Sequence, residues 1–239
     1  MITLALDTSN KAMSVAVVQD GELLAETTLN KMRTHSEQLL PTIDRLVALS
    51  GLQPSDIDRV AVAQGPGSYT GLRIGVTTAK TLAYTLNIEL VGVSSLATLA
   101  ANVRSAEAII VPLMDARRDN VFAGMYQWVD GGLRNVALDK HVALQQLLAE
   151  VQALGQPAIF VGATEKMRLA ISAVLGGSAR FTDGLNSLPR AARIAELASG
   201  MQPVDIDSFV PNYLRLTEAE VNWLHAHPGV KQTNYVEKV

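Results

Sequence analysis

A glycine-rich stretch at residues 64–75 is the first candidate for chemistry in this sequence. It places Gly65, Gly67 and Gly71 between a short apolar segment and a segment with helical spacing. Backbone N–H groups at a strand-to-helix turn can converge on one point, and the helix start adds partial positive charge. The stretch therefore predicts an anion or phosphate seat. The alternative is a tight turn that lets the helix pack closely on the sheet.

Two familiar phosphate-binding motifs do not fit this stretch. A P-loop requires a Lys-Ser or Lys-Thr pair after its last glycine, and Gly71 is followed by Leu72 and Arg73. The dinucleotide fingerprint requires a third glycine at the place that Thr70 occupies. The residues themselves therefore leave both the anion seat and the packing turn open.

Two aspartates follow apolar strands in equivalent sequence patterns. Asp7 ends the predicted strand at residues 2–6, and Asp115 ends the one at residues 108–114. A carboxylate at this point can place a metal or act as a base beside a bound nucleotide. The alternative is an Asx turn, in which the carboxylate accepts a backbone N–H of its own loop. The candidates for nucleotide binding are Asp7, Ser9, Gly65, Gly67 and Asp115.

The elements that would position these residues occur twice. Each copy reads strand, Asp, polar turn, strand, Asp-Gly turn, strand, and continues with alternating helices and strands. The first copy predicts strands at 2–6, 14–18 and 23–29, a helix at 36–50, a strand at 59–63, a helix at 72–86, a strand at 89–93 and a helix at 95–103. The second copy predicts strands at 108–114, 121–126 and 133–138, a helix at 144–154, a strand at 158–161 and a helix at 164–175.

This order predicts an α/β protein of two lobes, with the duplicated ribonuclease-H-like fold of actin, sugar kinases and the Hsp70 nucleotide domain. In that fold, the turn after the first strand of each lobe faces the cleft between the lobes. We expect an N-terminal lobe at 1–103, a reduced C-terminal lobe at 104–215 and a tail at 216–239.

Composition favours a folded protein of the cell interior. The 239 residues are 48% hydrophobic and 18% charged, which is enough apolar material for a sizeable core. The net charge of -3 provides no overall basic field for nucleic acid, and the lack of cysteine excludes disulfides and thiol chemistry. The first residues lack the features of a signal peptide, and no apolar run is long enough to span a bilayer. We expect a cytoplasmic protein with no membrane attachment.

The glycine-rich stretch at residues 65–75 resembles the signature of the bacterial TsaB family, also called YeaZ. Members of this family are partner subunits in the machinery that attaches threonylcarbamoyl to a tRNA adenosine. The resemblance covers residues 1–215, and it also includes the segments 4–9, 35–37, 115–118 and 211–215.

The resemblance also implies a protein without catalytic residues of its own. The catalytic relative TsaD carries a His-x-x-x-His pair that binds its metal. Aligned through residues 91–93, that pair falls on Ser95 and Leu99, neither of which can replace imidazole as a ligand. The resemblance therefore implies a silent paralogue that holds no metal or cofactor tightly, with ATP or ADP bound only within a complex.

Two enzymatic alternatives compete with this interpretation. A small-molecule kinase or ATPase of the same fold would use Asp7 or Asp115. A peptidase is disfavoured, because the sequence has no cysteine, no zinc motif and no Gly-x-Ser-x-Gly elbow.

The resemblance further implies a TsaD-type catalytic subunit and a TsaE-type ATPase as partners, and a homodimer when the chain is alone. We expect the helices at 36–50 and 72–86 to form the contact, with bulk at position 78 weakening it. The predicted interface residues are Leu39, Leu40, Ile43, Leu72, Gly75, Thr78, Ala79 and Leu82. Contact with tRNA is expected to be indirect and weak for the lone chain, with a local patch at Arg117 and Arg118 contributing within a complex.

Overall fold

The computed structural model describes residues 1–31 and 34–215. Its helices and strands form two repeats in chain order. The first repeat consists of β1 (Ile2–Asp7), β2 (Met13–Gln19), β3 (Glu22–Leu29), α1 (His35–Leu49), β4 (Arg59–Gly65), α2 (Tyr69–Leu86), β5 (Glu89–Ser94) and α3 (Ser95–Ala100). The second consists of β6 (Ile109–Asp115), β7 (Asn120–Val129), β8 (Gly132–Ala143), α4 (Leu144–Ala153), β9 (Ala158–Val161), α5 (Glu165–Leu175), β10 (Ala179–Phe181) and α6 (Ala191–Ala198). The predicted tail at 216–239 lies outside the described residues.

The two sheets have the same strand order. The first runs β3-β2-β1-β4-β5 and the second β8-β7-β6-β9-β10. In each, the first three strands in chain order form an antiparallel meander, and the other two pair in parallel. The duplicated two-lobed α/β fold predicted from the sequence repeat is therefore confirmed.

The two meanders also turn on the same dipeptide. Asp20 and Gly21 have φ of 50° and 87°, and Asp130 and Gly131 have φ of 51° and 78°. Both residues of each pair thus lie in the left-handed region that a two-residue hairpin turn requires, which Asp-Gly adopts readily. This local chemistry explains why the strand pattern could be read from the sequence.

Side chains of β1 alternate between two different helical layers. Leu4 and Leu6 belong to the apolar core under α1 and α2, whereas Ala5 faces the opposite side of the sheet. That opposite face is built largely from alanine and valine, and it packs against α6. Small residues there let the helix lie close to the sheet.

The two lobes exchange a helix. Although α3 follows the first sheet in the chain, its Leu96 and Leu99 pack with Ile110 of the second sheet. Although α6 follows the second sheet, its Ala191 and Ile194 pack on the first. Each of these helices therefore covers the sheet of the other lobe, across the predicted boundary between residues 103 and 104, and that boundary stays a prediction.

A C-terminal strap, residues 203–215, crosses from one lobe to the other. The N–H of Asn212 donates to the carbonyl of Gln64 at 2.7 Å, at the end of β4. Farther along, Arg215 Nη1 donates to the carbonyl of Ala116 at 2.8 Å, in the second lobe. Among the helices within the described residues, none is both long and apolar enough to cross a membrane.

Candidate functional site

The turn after β1 is pressed against the glycine-rich stretch. A Cβ at Gly67 would collide with the carbonyl oxygen of Ser9, and a Cβ at Gly71 with that of Thr8. The N–H of Ser68 donates to the carbonyl of Ser9 at 2.7 Å, and the Thr8 hydroxyl donates to the carbonyl of Gly71 at 2.7 Å. Gly67 and Gly71 therefore allow close packing of the two turns, and the anion seat at this place stays a prediction.

Asp7 lies at the base of this turn and is fully buried. Its Oδ1 accepts the N–H of Ser9 at 2.8 Å and the Ser9 hydroxyl at 2.7 Å, in an Asx turn, whereas its Oδ2 has no hydrogen-bond partner within the described part of the chain. Burial raises the pKa of Asp7 to about 6, against the lowering effect of the two Ser9 hydrogen bonds and of nearby His35. The folded protein therefore keeps this carboxyl group protonated to a higher pH than an ordinary aspartate.

Asp115 occupies the matching place in the second lobe and is exposed. Its Oδ1 accepts the N–H of Arg117 at 2.8 Å, again in an Asx turn. Arg117, Arg118 and Asp119 have φ of 66°, 52° and 58°, and the turn closes with the N–H of Asn120 donating to the Arg117 carbonyl at 3.0 Å. The result is a left-handed turn that leaves both arginines exposed.

The two turns face each other across a cleft of about 1160 Å³ between the lobes. The beginning of α2 and the C-terminal strap complete its walls. Of the five nucleotide-binding candidates, Ser9, Gly67 and Asp115 line the cleft. Asp7 is buried in the turn that carries Ser9, and a Cβ at Gly65 would collide with the carbonyl oxygen of Asn212 in the strap. The structure thus brings three of the five to one surface.

Positive side chains outnumber negative ones on the cleft wall. Lys11, Arg117, Arg118 and Arg215 line it, against the single carboxylate of Asp115. The electrostatic character of the cleft is therefore opposite to the net charge of the whole chain, which is -3. A cleft of this sign attracts anions.

Most of the predicted interface residues face inward. Leu39, Ile43, Leu72, Gly75 and Ala79 are buried in the first lobe. A Cβ at Gly75 would collide with the Thr8 hydroxyl, so this small residue serves packing within the lobe. Thr78 and Leu82 are half-buried, and Leu40 is 55% exposed. The predicted apolar stripe exists, but it packs on the protein's own sheet; any contact must use the outward face.

The positions that align with the TsaD metal pair are inside the protein. Ser95 and Leu99 are both fully buried in α3, and Leu99 belongs to the core against the second sheet. A hydroxyl and a hydrocarbon side chain do not fit the metal that the resemblance would bring. Within residues 1–31 and 34–215, no three His, Asp or Glu side chains come together in a way that could hold a metal ion.

One polar cluster was missed from the sequence. The Tyr126 hydroxyl donates to Asp139 Oδ1 and the Ser94 hydroxyl to Asp139 Oδ2, both at 2.5 Å, and burial raises the pKa of Asp139. Ser94 also accepts the N–H of Leu96 at 3.1 Å, at the start of α3. The cluster ties the end of β5 to the second lobe, and its members are too far apart in sequence to form a motif.

Comparison with known proteins places the two-lobed chain among TsaD-like proteins. A family model described as TsaD, tRNA N6-adenosine threonylcarbamoyltransferase, matches residues 22–223. A Bacillus subtilis relative, the tRNA threonylcarbamoyladenosine biosynthesis protein TsaB, is 38% identical over 227 residues, which is 95% of this chain and 99% of that protein. The Escherichia coli protein of the same name is 35% identical over 135 residues, covering 56% of this chain and 58% of its own length. The chain therefore belongs to the TsaB family, as the resemblance in its sequence indicated.

Solved structures agree with this assignment. YeaZ from Pseudomonas aeruginosa has a TM-score of 0.76 and 27% identity, over 89% of this chain and 99% of that one. A second structure from Pseudomonas aeruginosa, described as an uncharacterized protein with similarity to peptidase YeaZ, has a TM-score of 0.78 and 27% identity, over 90% and 99%. Both similarities extend over the two lobes.

Proposed function

We propose that this chain is a cytoplasmic accessory subunit that binds a TsaD-type catalytic subunit and contributes no catalytic residue. Together with a TsaE-type ATPase, the assembly transfers threonylcarbamoyl to a tRNA adenosine beside the anticodon. The pathway is supported by the name of the Bacillus subtilis relative, a tRNA threonylcarbamoyladenosine biosynthesis protein. A contact with tRNA through the catalytic subunit is part of the same proposal.

The burial of Ser95 and Leu99 carries this proposal. In the catalytic relative, by the resemblance, these positions hold the two metal-binding histidines. Here the Leu99 side chain fills the core between α3 and the second sheet, and the Ser95 hydroxyl is fully buried. A metal centre needs ligands that reach substrate, whereas these two positions serve packing. An accessory role follows more directly from this arrangement than a chemical one.

The closed first-lobe turn supports the same proposal. In a nucleotide-using enzyme of this fold, the turn after β1 would present free backbone groups to phosphates. Instead, Ser9 accepts the N–H of Ser68, and its turn lies directly on Gly67. Any ATP or ADP would then be held with the help of a partner subunit.

The partner surface lies on the outward faces of α1 and α2. Leu40 is 55% exposed on α1, and Tyr84 is 73% exposed on α2. Exposed large apolar side chains on neighbouring helices are suited to a protein contact. In the absence of the partner, the same face can pair with a second copy as a two-fold, four-helix contact.

Substitution of Leu40 tests this surface. Leu40→Arg places a charge where apolar area would be buried, and we expect the affinity for the TsaD-type subunit of the same organism to fall about tenfold or more. Leu169→Arg is the matched control, because Leu169 is an exposed leucine, at 67%, on the distant helix α5. Titration calorimetry measures both affinities. Equal binding by the two variants would contradict the assignment of the surface.

A further inference from the structure

We propose that the cleft between the lobes binds the phosphate backbone of a single-stranded RNA segment through a cationic rim formed by Lys11, Arg117, Arg118 and Arg215. The inference deepens the proposed function, on which it rests only for the identity of the RNA as a tRNA. It assigns this chain a direct contact with the substrate, in addition to its contact with the catalytic subunit.

Uncompensated charge is the first observation. Within residues 1–31 and 34–215, the side chains of Lys11, Arg117 and Arg118 form no ion pair with a carboxylate. By contrast, Arg59 and Arg190 each pair with a glutamate. Charged side chains left unpaired on one concave surface are available to an anionic ligand, which neutralises them on binding.

The backbone of the second-lobe turn is the second observation. Arg117, Arg118 and Asp119 all lie in the left-handed region, with φ of 66°, 52° and 58°. L-residues adopt this region singly, seldom in succession, and such outliers cluster where function requires them. Here a hydrogen bond within the turn holds its backbone, because Asp115 Oδ1 accepts the N–H of Arg117. With the backbone held in this way, the side chains of Arg117 and Arg118 are exposed on the wall of the cleft.

The distribution of the cations favours a chain of phosphates over a single nucleotide. Lys11 comes from the first lobe, the two arginines of the turn from the second, and Arg215 from the C-terminal strap. At the first-lobe turn, the backbone of Ser9 packs against Gly67 and its carbonyl accepts the N–H of Ser68, so this turn has fewer free backbone groups for a single phosphate.

An aromatic pair at the same cleft favours a nucleic acid over other polyanions. The rings of Tyr69 and Tyr213 stack with centroids 4.7 Å apart, and the two residues are 44% and 40% exposed. Both line the cleft. Aromatic side chains beside a groove of positive charge are the recurring composition of surfaces that bind single strands, with bases on the rings and phosphates on the cations.

The test is fluorescence anisotropy of a labelled 12-nucleotide RNA with the full chain, at several salt concentrations. Arg117→Ala/Arg118→Ala should weaken binding about tenfold at low salt and reduce the slope of log K against log salt by about 1.4, since each phosphate contact of a single strand contributes about 0.7. Arg134→Ala/Arg180→Ala removes the same charge at exposed positions away from the cleft, and should leave both quantities unchanged. Arg117→Lys/Arg118→Lys keeps the charges and should restore the slope.

The aromatic ring of Tyr213 should contribute to RNA affinity independently of the cationic side chains. Tyr213→Ala should weaken RNA binding roughly fivefold or more without changing the salt slope, and Tyr213→Phe should bind like the wild type. Circular dichroism establishes that each variant is folded. If both arginine pairs have the same effect, or if an acidic peptide of equal charge competes as well as RNA, the inference is overturned. Micromolar binding of ADP or tripolyphosphate in place of the oligonucleotide would also overturn it.

The inference can fail without the proposed function failing. The arginine variants should bind the TsaD-type subunit like the wild type, and in the complete complex they should raise the KM for tRNA while leaving kcat unchanged. A complex that forms and transfers normally with the arginine variants would refute the RNA contact alone. Loss of complex formation by the wild-type chain would refute the proposed function instead.

Discussion

The turns after β1 and β6 occupy the same place in the two lobes and have different fates. In both, an aspartate Oδ1 accepts the N–H two residues farther on, at 2.8 Å. Yet Asp7 is fully buried, with its other oxygen unpartnered within the described residues, whereas Asp115 is exposed on the cleft wall. Both lobes thus contain the same Asx turn, and the two turns differ in how deeply the aspartate is buried. The first turn packs closely against the beginning of α2, and the second turn is exposed on the cleft wall.

The contacts that each turn makes with the neighbouring helix, α2 in the first lobe and α5 in the second, explain this difference. In the first lobe, the glycines at the beginning of α2 let the backbone of the turn come into direct contact. In the second lobe, the glycine before α5 is Gly162, where a Cβ would collide with the carbonyl oxygen of Leu113 in β6 and not with the turn after it. The second turn is held to α5 by a side-chain pair, Lys166 Nζ to Asp119 Oδ1 at 2.5 Å. The turn after β1 is thus buried by backbone contact with α2, whereas the turn after β6 is joined to α5 by an exposed ion pair and stays accessible to solvent.

The largest loss of stability is expected from adding one methyl group at Gly67, where the turn after β1 packs against the glycine-rich stretch. Gly67→Ala forces a Cβ into the carbonyl oxygen of Ser9, which is backbone and cannot swing away. We expect a loss of about 3 kcal/mol or more in the free energy of unfolding, at the upper end for overpacking. Gly200→Ala is the control, since a Cβ there meets no atom within 4 Å. Urea unfolding measures both, and a Gly67 variant as stable as the control would show that the turn is not packed as described.

The pH dependence of stability should report the burial of Asp7. Its folded pKa of about 6 lies above the ordinary 3.8, so the folded state binds more protons between these values. Stability therefore falls as pH rises from about 4 to 6, and stays level beyond. With 1.36 kcal/mol for each pKa unit, the cost at pH 7 is about 3 kcal/mol. The buried Asp7→Asn variant lacks this titration.

Unfolding curves of the wild type and Asp7→Asn at pH 4 and pH 7 measure this cost. Between pH 4 and pH 7, the difference in unfolding free energy between the two proteins should change by about 2 kcal/mol in favour of the variant, because a small part of the cost is already present at pH 4. Ser9→Ala sharpens the test, because the Ser9 hydroxyl bond lowers the pKa of Asp7, and its loss should move the titration to higher pH. Parallel pH profiles of wild type and Asp7→Asn would rule out a buried titrating group here.

The smallest change in stability is expected from a substitution at the turn after β6. Lys166→Ala removes the pair with Asp119, whose two side chains are 83% and 77% exposed. Exposed ion pairs are screened by solvent and salt, so we expect no measurable change in the unfolding midpoint. A loss approaching that of Gly67→Ala would mean that the open turn is held as firmly as the closed one.

The sequence was sufficient for the fold because its signals are local. Alternating apolar strands, Asp-Gly turns and the repeated order need only neighbouring residues to be recognised. The short strand β10 and the helix α6 were not predicted. In α6, Ala191, Ile194 and Ala198 do follow helical spacing, but the sheet that they cover is formed by the other end of the chain.

The site was predicted less well than the fold, since it depends on which face is covered. The apolar spacing of Leu39 and Ile43 identified a helix stripe, but spacing alone does not tell the protein's own core from a partner. The repeat identified Asp7 and Asp115 as equivalent positions, but could not show that only one would be buried. The stack of Tyr69 on Tyr213 joins two residues that are far apart in the chain, and it has no sequence signal.

Threonylcarbamoyl transfer to tRNA, measured with one subunit omitted at a time, tests the central claim most directly. The assay combines this chain, the TsaD-type and TsaE-type subunits of the same organism, tRNA and a threonylcarbamoyl donor. We expect transfer by the complete mixture, a large loss when this chain is omitted, and none when the TsaD-type subunit is omitted. Transfer by this chain in the absence of that subunit would contradict an accessory role for a protein whose Ser95 and Leu99 are buried in its core.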